Sequence, residues 1–276
     1  MSPRFEGKVA IVTGSSFGIG RATILLLARE GARVIVTGRN EQRLQEAQQE
    51  LLDSGVPSAR IAVIAGDITT SEGQDRLIST TLEKFGKIDI LVNNAGGACP
   101  DSQNRTGVNQ GIDTFEKTIH LQSVIELTQK VRPHLAQTRG EIVNFSTIEA
   151  LPTANFAHPY YCVAKAALDQ YSRSAAIDLI SEGIRVNSVN PGIVMTGFVK
   201  ATGATSDQAM EFYKRNAAEP SVLPCGFVGR PEHIAKIIAF LADRDSSEYI
   251  VGQNIVADGG TILCSGFLAH NTVPKN

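Results

Sequence analysis

Short apolar runs alternate along the chain with longer segments in which apolar residues recur every three or four positions. The short runs are rich in valine and isoleucine, which is typical of strands buried on both faces of a sheet. The longer segments have the period of helices that bury one face. The runs predict strands at residues 8–13, 33–37, 60–65, 88–93, 141–145, 184–189 and 253–256. The longer segments predict helices at residues 18–30, 41–52, 71–85, 112–137, 160–180 and 232–241.

Regular alternation of strand and helix implies right-handed βαβ crossovers and a parallel sheet. A buried helix fragment could imitate any one of the strands, but seven in succession are hard to explain otherwise. The pattern therefore predicts an α/β fold of the Rossmann type, doubly wound in three layers. Residues 201–226 break the rhythm, with polar helix-like stretches and no clear strand. A long excursion after a sheet strand is often a binding lid, although a surface helix pair is the alternative.

Length and charge limit the classes of protein that fit. A chain of 276 residues without a linker or an internal repeat predicts one domain over residues 1–276, with the lid at about 195–227. The formal net charge of −2, with both signs spread along the chain, argues against a nucleic-acid binder. No apolar stretch is long enough to predict a membrane span.

The four cysteines have neither the CxxC spacing nor the histidine partners of a metal site, so we predict no metal and reduced thiols. Reduced thiols are typical of the cytoplasm. The N-terminal residues lead directly into the first strand and lack the apolar core of a signal peptide. We therefore expect a cytoplasmic protein.

Three glycines follow the first predicted strand and open a helix, in the sequence Thr-Gly-Ser-Ser-Phe-Gly-Ile-Gly. Gly14 permits the tight turn, Gly18 lets the backbone approach a pyrophosphate, and Gly20 allows close packing of the helix. The helix N-terminus then directs free N–H groups and a positive dipole at phosphates. This arrangement predicts a dinucleotide site, and a βα turn without a ligand is the alternative.

The residue after the second strand bears on which dinucleotide binds. NAD sites usually place an acid there to accept a hydrogen bond from the ribose 2′-hydroxyl. This chain has Arg39, whose guanidinium suits a 2′-phosphate. We therefore predict NADP(H) as the cofactor. The alternative is that Arg39 only caps the following helix at the surface.

Later strand ends supply further contacts to the same ligand. Asp67, with Ile68 beside it, is placed to meet the adenine amino group, and the Asn-Asn-Ala-Gly segment allows close backbone approach. The two asparagines of that segment could also stabilise the turn itself. The residues expected around the cofactor are Gly14, Ser15, Ser16, Gly18, Ile19, Gly20, Arg39, Asp67, Ile68, Asn93, Ala95, Gly96, Tyr161, Lys165, Pro191, Gly192, Val194 and Thr196.

Tyr161 and Lys165 are four residues apart in a predicted helix, so they share one face. A tyrosine with an ordinary pKa near 10 is protonated at neutral pH, and a neighbouring ammonium favours the phenolate and lowers that pKa. The pair can therefore exchange a proton with a carbonyl or alcohol oxygen. Ser146 and Thr147 end the fifth strand, where ligands bind in open α/β sheets, and their hydroxyls could polarise the substrate oxygen.

These segments together resemble the short-chain dehydrogenase/reductase family, and within it the tropinone-reductase-like, nematode-type members. The likeness covers nearly the whole chain, because TGSSFGIG, NNAG, YCVAK, the Asn190-Pro191-Gly192 turn and the Asp258-Gly259-Gly260 segment follow one another in family order. The resemblance implies a seven-stranded parallel sheet and a homotetramer or homodimer. It also implies hydride transfer at nicotinamide C4 to a small-molecule carbonyl compound, or from an alcohol, with Tyr161 as proton donor. Residues 191–196 would hold the carboxamide.

Two positions depart from the family pattern. Thr147 stands where the family has its catalytic serine, which keeps the hydroxyl but adds a methyl group. His120 stands where the family has an asparagine that holds a water in the proton relay to the lysine. His120 could relay a proton itself or face solvent without a role. The departures leave two hypotheses: an NADP(H)-dependent oxidoreductase, or a pseudoenzyme or subunit that binds NADP(H) and turns over weakly.

Overall fold

The computed structural model describes residues 3–97, 99, 101–103, 105–118, 121–152, 155, 157–201 and 203–264. Its centre is a seven-stranded parallel sheet in the order β3-β2-β1-β4-β5-β6-β7. The strands are β1 (Val9–Val12), β2 (Arg33–Gly38), β3 (Ile61–Ala65), β4 (Ile90–Asn93), β5 (Glu141–Phe145), β6 (Arg185–Pro191) and β7 (Asn254–Ala257). Each predicted strand is present, with ends that differ by at most two residues.

The helices connect the strands in the predicted alternation. They are α1 (Gly18–Arg29), α2 (Glu41–Asp53), α3 (Ser71–Phe85), α4 (Ile112–Thr118), α5 (Leu121–Thr138), α6 (Pro159–Leu179), α7 (Phe198–Ala201), α8 (Ser206–Ala217), α9 (Pro231–Ala242) and α10 (Arg244–Ser247). The single helix predicted at 112–137 is described as α4 and α5, and residues 119 and 120 between them lie outside the described residues.

The sheet is covered on both faces, which explains why its strands are apolar throughout. All four residues of β1 are buried, and successive side chains point to opposite faces. Ala10 and Val12 pack in a core with α1, α2 and α9. Val9 and Ile11 pack in a second core with α3, α5 and α6. These two cores make the three layers of the predicted doubly wound fold.

The strand order positions the functional site. The order in which the chain adds strands to the sheet reverses at β1. Its neighbours are β2 on one side and β4 on the other. In open α/β sheets, ligands bind at the carboxyl ends of the strands at such a switch point. The segments that follow β1, β4, β5 and β6 therefore converge on one edge of the sheet.

Two further observations concern ligands and surroundings. Within the described ranges, no helix is both long enough and apolar enough to cross a membrane. The same ranges contain no group of three or more histidine, cysteine, aspartate or glutamate side chains arranged to hold a metal ion.

Candidate active site

The glycine turn after β1 has the backbone that its sequence requires. Gly14 and Gly18 have φ values of +65° and +58°, in the left-handed region that side chains disfavour. At Gly20 the constraint is space, because a Cβ would lie 2.5 Å from both the Asn94 side chain and the Gly14 carbonyl oxygen. Gly20 thus packs α1 against this turn. The N-terminus of α1, with no side-chain cap on its N–H groups, faces the same edge of the sheet. This cradle fits a dinucleotide pyrophosphate.

Two predicted cofactor residues beside this turn serve the scaffold with their side chains. Ser15 is fully buried, and its hydroxyl accepts a hydrogen bond from Thr37 N at 2.9 Å. Asn93 is also buried, and its amide donates to Asn144 Oδ1 at 2.8 Å. Only the backbone of these two residues is free to approach a ligand. Ser16 remains partly exposed at the turn, and Ile19 is buried in the core under it.

Arg39 and Asp67 lie together at the end of β2 and β3. The guanidinium Nη1 of Arg39 is 3.6 Å from Asp67 Oδ2, and 77% of the Arg39 side chain is exposed. Asn40, and not Arg39, caps α2 by accepting a hydrogen bond from Arg43 N at 2.9 Å. The capping role considered for Arg39 is therefore filled by its neighbour, and the guanidinium is available to a ligand.

Asp67 is held as a carboxylate. Its Oδ1 accepts hydrogen bonds from the backbone N–H of Thr69 at 3.0 Å and from the Thr69 hydroxyl at 2.8 Å. The backbone hydrogen bond lowers the pKa of Asp67 most, and Arg39 lowers it further. Ile68 beside it is partly buried against the α3 side of the sheet. A charged Asp67 at this edge can accept a hydrogen bond from an adenine amino group.

Thr13 joins the two loops that would flank the cofactor. Its hydroxyl oxygen accepts hydrogen bonds from Asn94 N and Ala95 N, both at 3.0 Å. Asn94 Nδ2 donates in turn to the Thr13 carbonyl oxygen at 2.8 Å. The next residue, Gly96, is exposed with φ of +151°. These bonds hold the segment after β4 close to the glycine turn.

The candidate catalytic residues meet at the carboxyl end of β5. Proline at the first position of α6 starts the helix, and Tyr161 follows in its first turn, 7% exposed. The Thr147 hydroxyl lies beside the Tyr161 phenol and accepts a hydrogen bond from Glu149 N at 3.3 Å. Lys165 lies one turn further along, and its Nζ donates to the Phe145 carbonyl oxygen at 2.6 Å. Ser146, fully buried, has its hydroxyl 3.5 Å from the Lys165 carbonyl oxygen.

Burial shifts both titratable groups toward their neutral forms. It raises the pKa of Tyr161, with the nearby Glu149 carboxylate adding to the effect and the Thr147 hydroxyl opposing it. Burial lowers the pKa of Lys165 to about 8, and the Asp169 carboxylate opposes this by raising it. A protonated phenol is the form that can donate to a substrate oxygen.

The expectation that Lys165 lowers the pKa of Tyr161 is wrong for this arrangement. The Lys165 Nζ is 6.0 Å from the centre of the Tyr161 ring and is directed at the Phe145 carbonyl oxygen. Desolvation of the phenol is the largest influence on its pKa, and Lys165 is not among the groups that lower it. Among the described residues, the Thr147 hydroxyl is the group that lowers the pKa of Tyr161 and so favours the phenolate.

The segment after β6 closes the other side of the site. Pro191 is buried, and Gly192 leaves no room for a side chain, since a Cβ would lie 2.7 Å from that of Asp258. Val194 pairs with Gly229 in an isolated parallel bridge. Thr196 is anchored from the lid, because its N–H donates to the Tyr213 hydroxyl at 3.2 Å, and that hydroxyl donates to its carbonyl oxygen at 3.0 Å.

Over its described residues, the predicted lid contains two helices flanked by irregular chain. These are α7 and α8, and α8 begins with a capping box in which Thr205 and Gln208 each bond the other's backbone N–H. The ring of Phe198 in α7 is 5.4 Å from that of Tyr161, centre to centre. A groove of about 580 Å³ on the lid, lined by Met195, Met210 and Phe227 among others, does not include Tyr161 in its lining. The apolar contact at the phenol therefore comes from α7.

A small cavity of about 20 Å³ lies beside Lys165, between Asn93 on β4 and Leu121 and Val124 on α5. This volume is enough for one water molecule. The position where the family has its relay asparagine, His120, lies outside the described residues.

Sequence reasoning missed two residues that the tertiary structure brings to the site. Asp169 is 2% exposed and accepts a hydrogen bond from Asn190 Nδ2 at 2.7 Å. Its place four residues after Lys165 was the available signal. The other is Tyr213, and nothing in the sequence indicates its bond to Thr196, seventeen residues earlier.

A doubly wound sheet with a glycine cradle at its switch point, and a Thr, Tyr and Lys cluster beside it, defines an oxidoreductase of the dinucleotide-binding class. Comparison with known proteins supports this class. The family model described as Enoyl-(Acyl carrier protein) reductase matches residues 14–261. The chain belongs to the short-chain dehydrogenase/reductase family, whose members use a nicotinamide cofactor.

Individual relatives match nearly end to end. "Dehydrogenase/reductase SDR family member 4" of Caenorhabditis elegans is 33% identical, over 93% of this chain and 96% of its own. "3-oxoacyl-[acyl-carrier-protein] reductase FabG" of Thermotoga maritima is also 33% identical, over 94% of this chain and 100% of its own.

Solved structures agree with the fold. A C. elegans short-chain dehydrogenase/reductase of unknown function, crystallised with cofactor, superposes with a TM-score of 0.96 at 55% identity, covering 98% of this chain and 100% of that one. The apo form of a C. elegans glucose dehydrogenase gives a TM-score of 0.82 at 49% identity, covering 94% and 99%.

Proposed function

We propose that this protein is an NADP(H)-dependent oxidoreductase that interconverts a carbonyl compound and a secondary alcohol, with Tyr161 as acid and base. The observation that carries the proposal is the position of Tyr161, buried in the first turn of α6 beside Thr147, with Lys165 one helical turn away. These groups lie at the strand edge onto which the glycine cradle opens. When bound there, the cofactor supplies or accepts a hydride at nicotinamide C4.

In the direction of reduction, Tyr161 donates its proton to the substrate oxygen. Burial keeps the phenol protonated, and the Thr147 hydroxyl can hydrogen-bond the same oxygen as negative charge develops on it. Ser146 supports the strand end behind them. Lys165 titrates near pH 8, so it retains most of its charge at neutral pH and can hold a ribose hydroxyl.

The preference for NADP(H) rests on Arg39. Its guanidinium is largely exposed at the end of β2, where a 2′-phosphate would lie, and it is not used as the cap of α2. Arginine binds phosphate oxygens through paired N–H donors. Around the rest of the cofactor we expect the glycine turn, Asp67, the segment after β4 and residues 191–196.

For the substrate we propose a hydrophobic or medium-sized carbonyl compound. Phe198 from α7 contacts the Tyr161 ring, so the segment at 195–227 would act as a lid with an apolar face over the reacting oxygen. For the whole protein we propose one domain over residues 1–276, a homotetramer or homodimer, and a cytoplasmic location.

The test is oxidation of NADPH, followed at 340 nm, with a panel of ketones and aldehydes. We expect turnover of apolar carbonyl compounds with NADPH, and a much lower rate with NADH at the same low concentration. Equal rates with both cofactors would contradict the role of Arg39. Clear NADPH binding without turnover of any carbonyl compound or alcohol would favour the weakly active, cofactor-binding alternative.

A further inference from the structure

Asp169 is a buried carboxylate on the face of α6 that carries Tyr161 and Lys165. The three residues follow at intervals of four, one helical turn apart, and Asp169 is only 2% exposed. Burying an ionisable group without partners is unfavourable, so its surroundings must compensate for the lost water. Its contacts therefore indicate what it does.

Those contacts come from three elements. On α6 the charged neighbours are Lys165, one turn before it, and the exposed Arg173, one turn after it. From the end of β5, the buried Ser146 hydroxyl lowers the pKa of the Asp169 carboxyl, which burial raises. From β6, Asn190 Nδ2 donates to Asp169 Oδ2 at 2.7 Å. Neither Ser146 nor Asn190 titrates, so the buried charge that faces Asp169 is Lys165.

Asn190 extends the influence of Asp169 to the catalytic loop. Its Nδ2 also donates to the Thr147 carbonyl oxygen at 2.9 Å, and Asn190 is fully buried. The Thr147 hydroxyl beside the phenol lowers the pKa of Tyr161. Two hydrogen bonds thus join Asp169, through Asn190, to the main chain of the residue beside the phenol.

We propose that Asp169 is a positioning residue of this site, whose carboxylate holds Lys165 in its charged form and, through Asn190, fixes the main chain at Thr147. The inference rests on the proposed roles of Tyr161 and Lys165 in catalysis. Burial alone favours a neutral lysine, and the Asp169 carboxylate opposes it. The charge pair acts where little water screens it.

The test replaces Asp169 by asparagine, which has the same shape without the charge. Removing an opposite charge lowers the pKa of an ammonium group, by about one unit where little water screens the two charges. In Asp169→Asn the alkaline limb of the kcat/KM profile should therefore move to lower pH by about one unit. Activity should fall about tenfold at pH 9 and much less at pH 6.5.

The matched control is Asp178→Asn, the same change at an exposed position of the same helix. Its profile should overlay that of the unchanged protein. Asp169→Ser, which still offers a hydroxyl to Asn190, should give the same shift, and melting curves check that each variant is folded. A profile that keeps its shape and is only scaled down at every pH would overturn the proposal, because a purely structural residue has that effect.

A second measurement does not depend on activity. Acetylation of Lys165 by acetic anhydride, quantified by mass spectrometry across the same pH range, follows its free amine. Asp169→Asn should bring acetylation to lower pH, and an unchanged curve would overturn the inference about Asp169. A shifted curve in a protein that reduces no carbonyl compound would support the charge pair and reject the proposed function.

Discussion

Burial shifts the pKa values of Tyr161 and Lys165 in opposite directions. The phenol must lose its proton and the ammonium must keep one, yet desolvation raises the first pKa and lowers the second. The compensating contacts come from residues outside the YxxxK spacing, namely Thr147 for the phenol and Asp169 for the ammonium. The proton chemistry of this site is therefore set by a residue after β5 and by another one turn further along α6.

Replacing Tyr161 by phenylalanine removes the proton donor and leaves the ring that packs against Phe198. We expect kcat for carbonyl reduction to fall by about 10²–10⁴-fold, while the Kd for NADPH changes little. Tyr160→Phe is the control, since its hydroxyl donates to the Gln110 carbonyl oxygen, away from the other phenol. Activity of Tyr161→Phe within a few-fold of the unchanged protein would refute the mechanism.

Replacing Arg39 by glutamine removes the charge proposed to bind the 2′-phosphate. Hydrogen bonds to charged groups contribute about 1.5–3 kcal/mol, so the KM for NADPH should rise by about tenfold or more. The KM for NADH should stay the same, because that cofactor lacks the phosphate. The control is Arg29→Gln, at an exposed position at the C-terminal end of α1, which should change neither KM. Equal increases for both cofactors would show that Arg39 does not discriminate between them.

At the scale of elements, the site is assembled from segments that end at one edge of the sheet. The loops after β1 and β4 are joined through Thr13 and Asn94, whereas α8 is joined to the segment after β6 through Tyr213. The second connection is made by a tyrosine that is 4% exposed and whose hydroxyl makes two hydrogen bonds to Thr196. The cradle loops are thus joined by two side chains, whereas α8 is joined to Thr196 by one hydroxyl.

Tyr213→Phe tests this difference, because it removes both bonds to Thr196 and keeps the ring. Each bond contributes about 0.5–1.5 kcal/mol, so we expect a several-fold higher KM for the carbonyl substrate and faster tryptic cleavage after Lys214 or Arg215 in α8. The matched control is Tyr249→Phe, at a fully exposed tyrosine. If cleavage and KM are both unchanged, Tyr213 does not hold the lid.

At the scale of the whole molecule, a buried ion cluster lies at the opposite edge of the sheet from the site. Glu141 at the start of β5 contacts Arg185 of β6 at 2.9 Å and Arg244 of α10 at 2.8 Å. Arg185 is 1% exposed and also donates to the carbonyl oxygens of Leu241, Ser247 and Ile250. The cluster ties two central strands to the C-terminal helices.

Glu141→Gln leaves the Arg185 guanidinium buried without its counter-charge. Breaking a buried pair costs about 3–5 kcal/mol, so we expect a large loss in the free energy of unfolding, measured by urea titration. The same substitution at Glu182, in its solvent-exposed pair with Arg132, should have only a small effect. Similar losses in the free energy of unfolding for the two variants would show that the buried cluster stabilises the fold no more than the pair of Glu182 and Arg132 does.

Much of the fold follows from local rules that the sequence alone satisfies. Seven short apolar runs in alternation with helical segments indicate buried strands, and the glycine turn after β1 needs positive φ at two positions. These requirements involve residues that are close in the chain. For the same reason, the predicted strand ends agree with the structure within two residues, and Tyr161 and Lys165 could be placed on one helical face.

Only the tertiary structure decided where each polar group directs its bonds. The side chains of Ser15 and Asn93 form hydrogen bonds within the scaffold. The Lys165 ammonium donates to the Phe145 carbonyl oxygen. Asp169 on α6 accepts a hydrogen bond from Asn190 on β6. Such choices depend on partners that are distant in the chain and on how much water each group loses. Spacing along one helix determines that Tyr161 and Lys165 are neighbours, but desolvation by the surrounding elements sets their protonation.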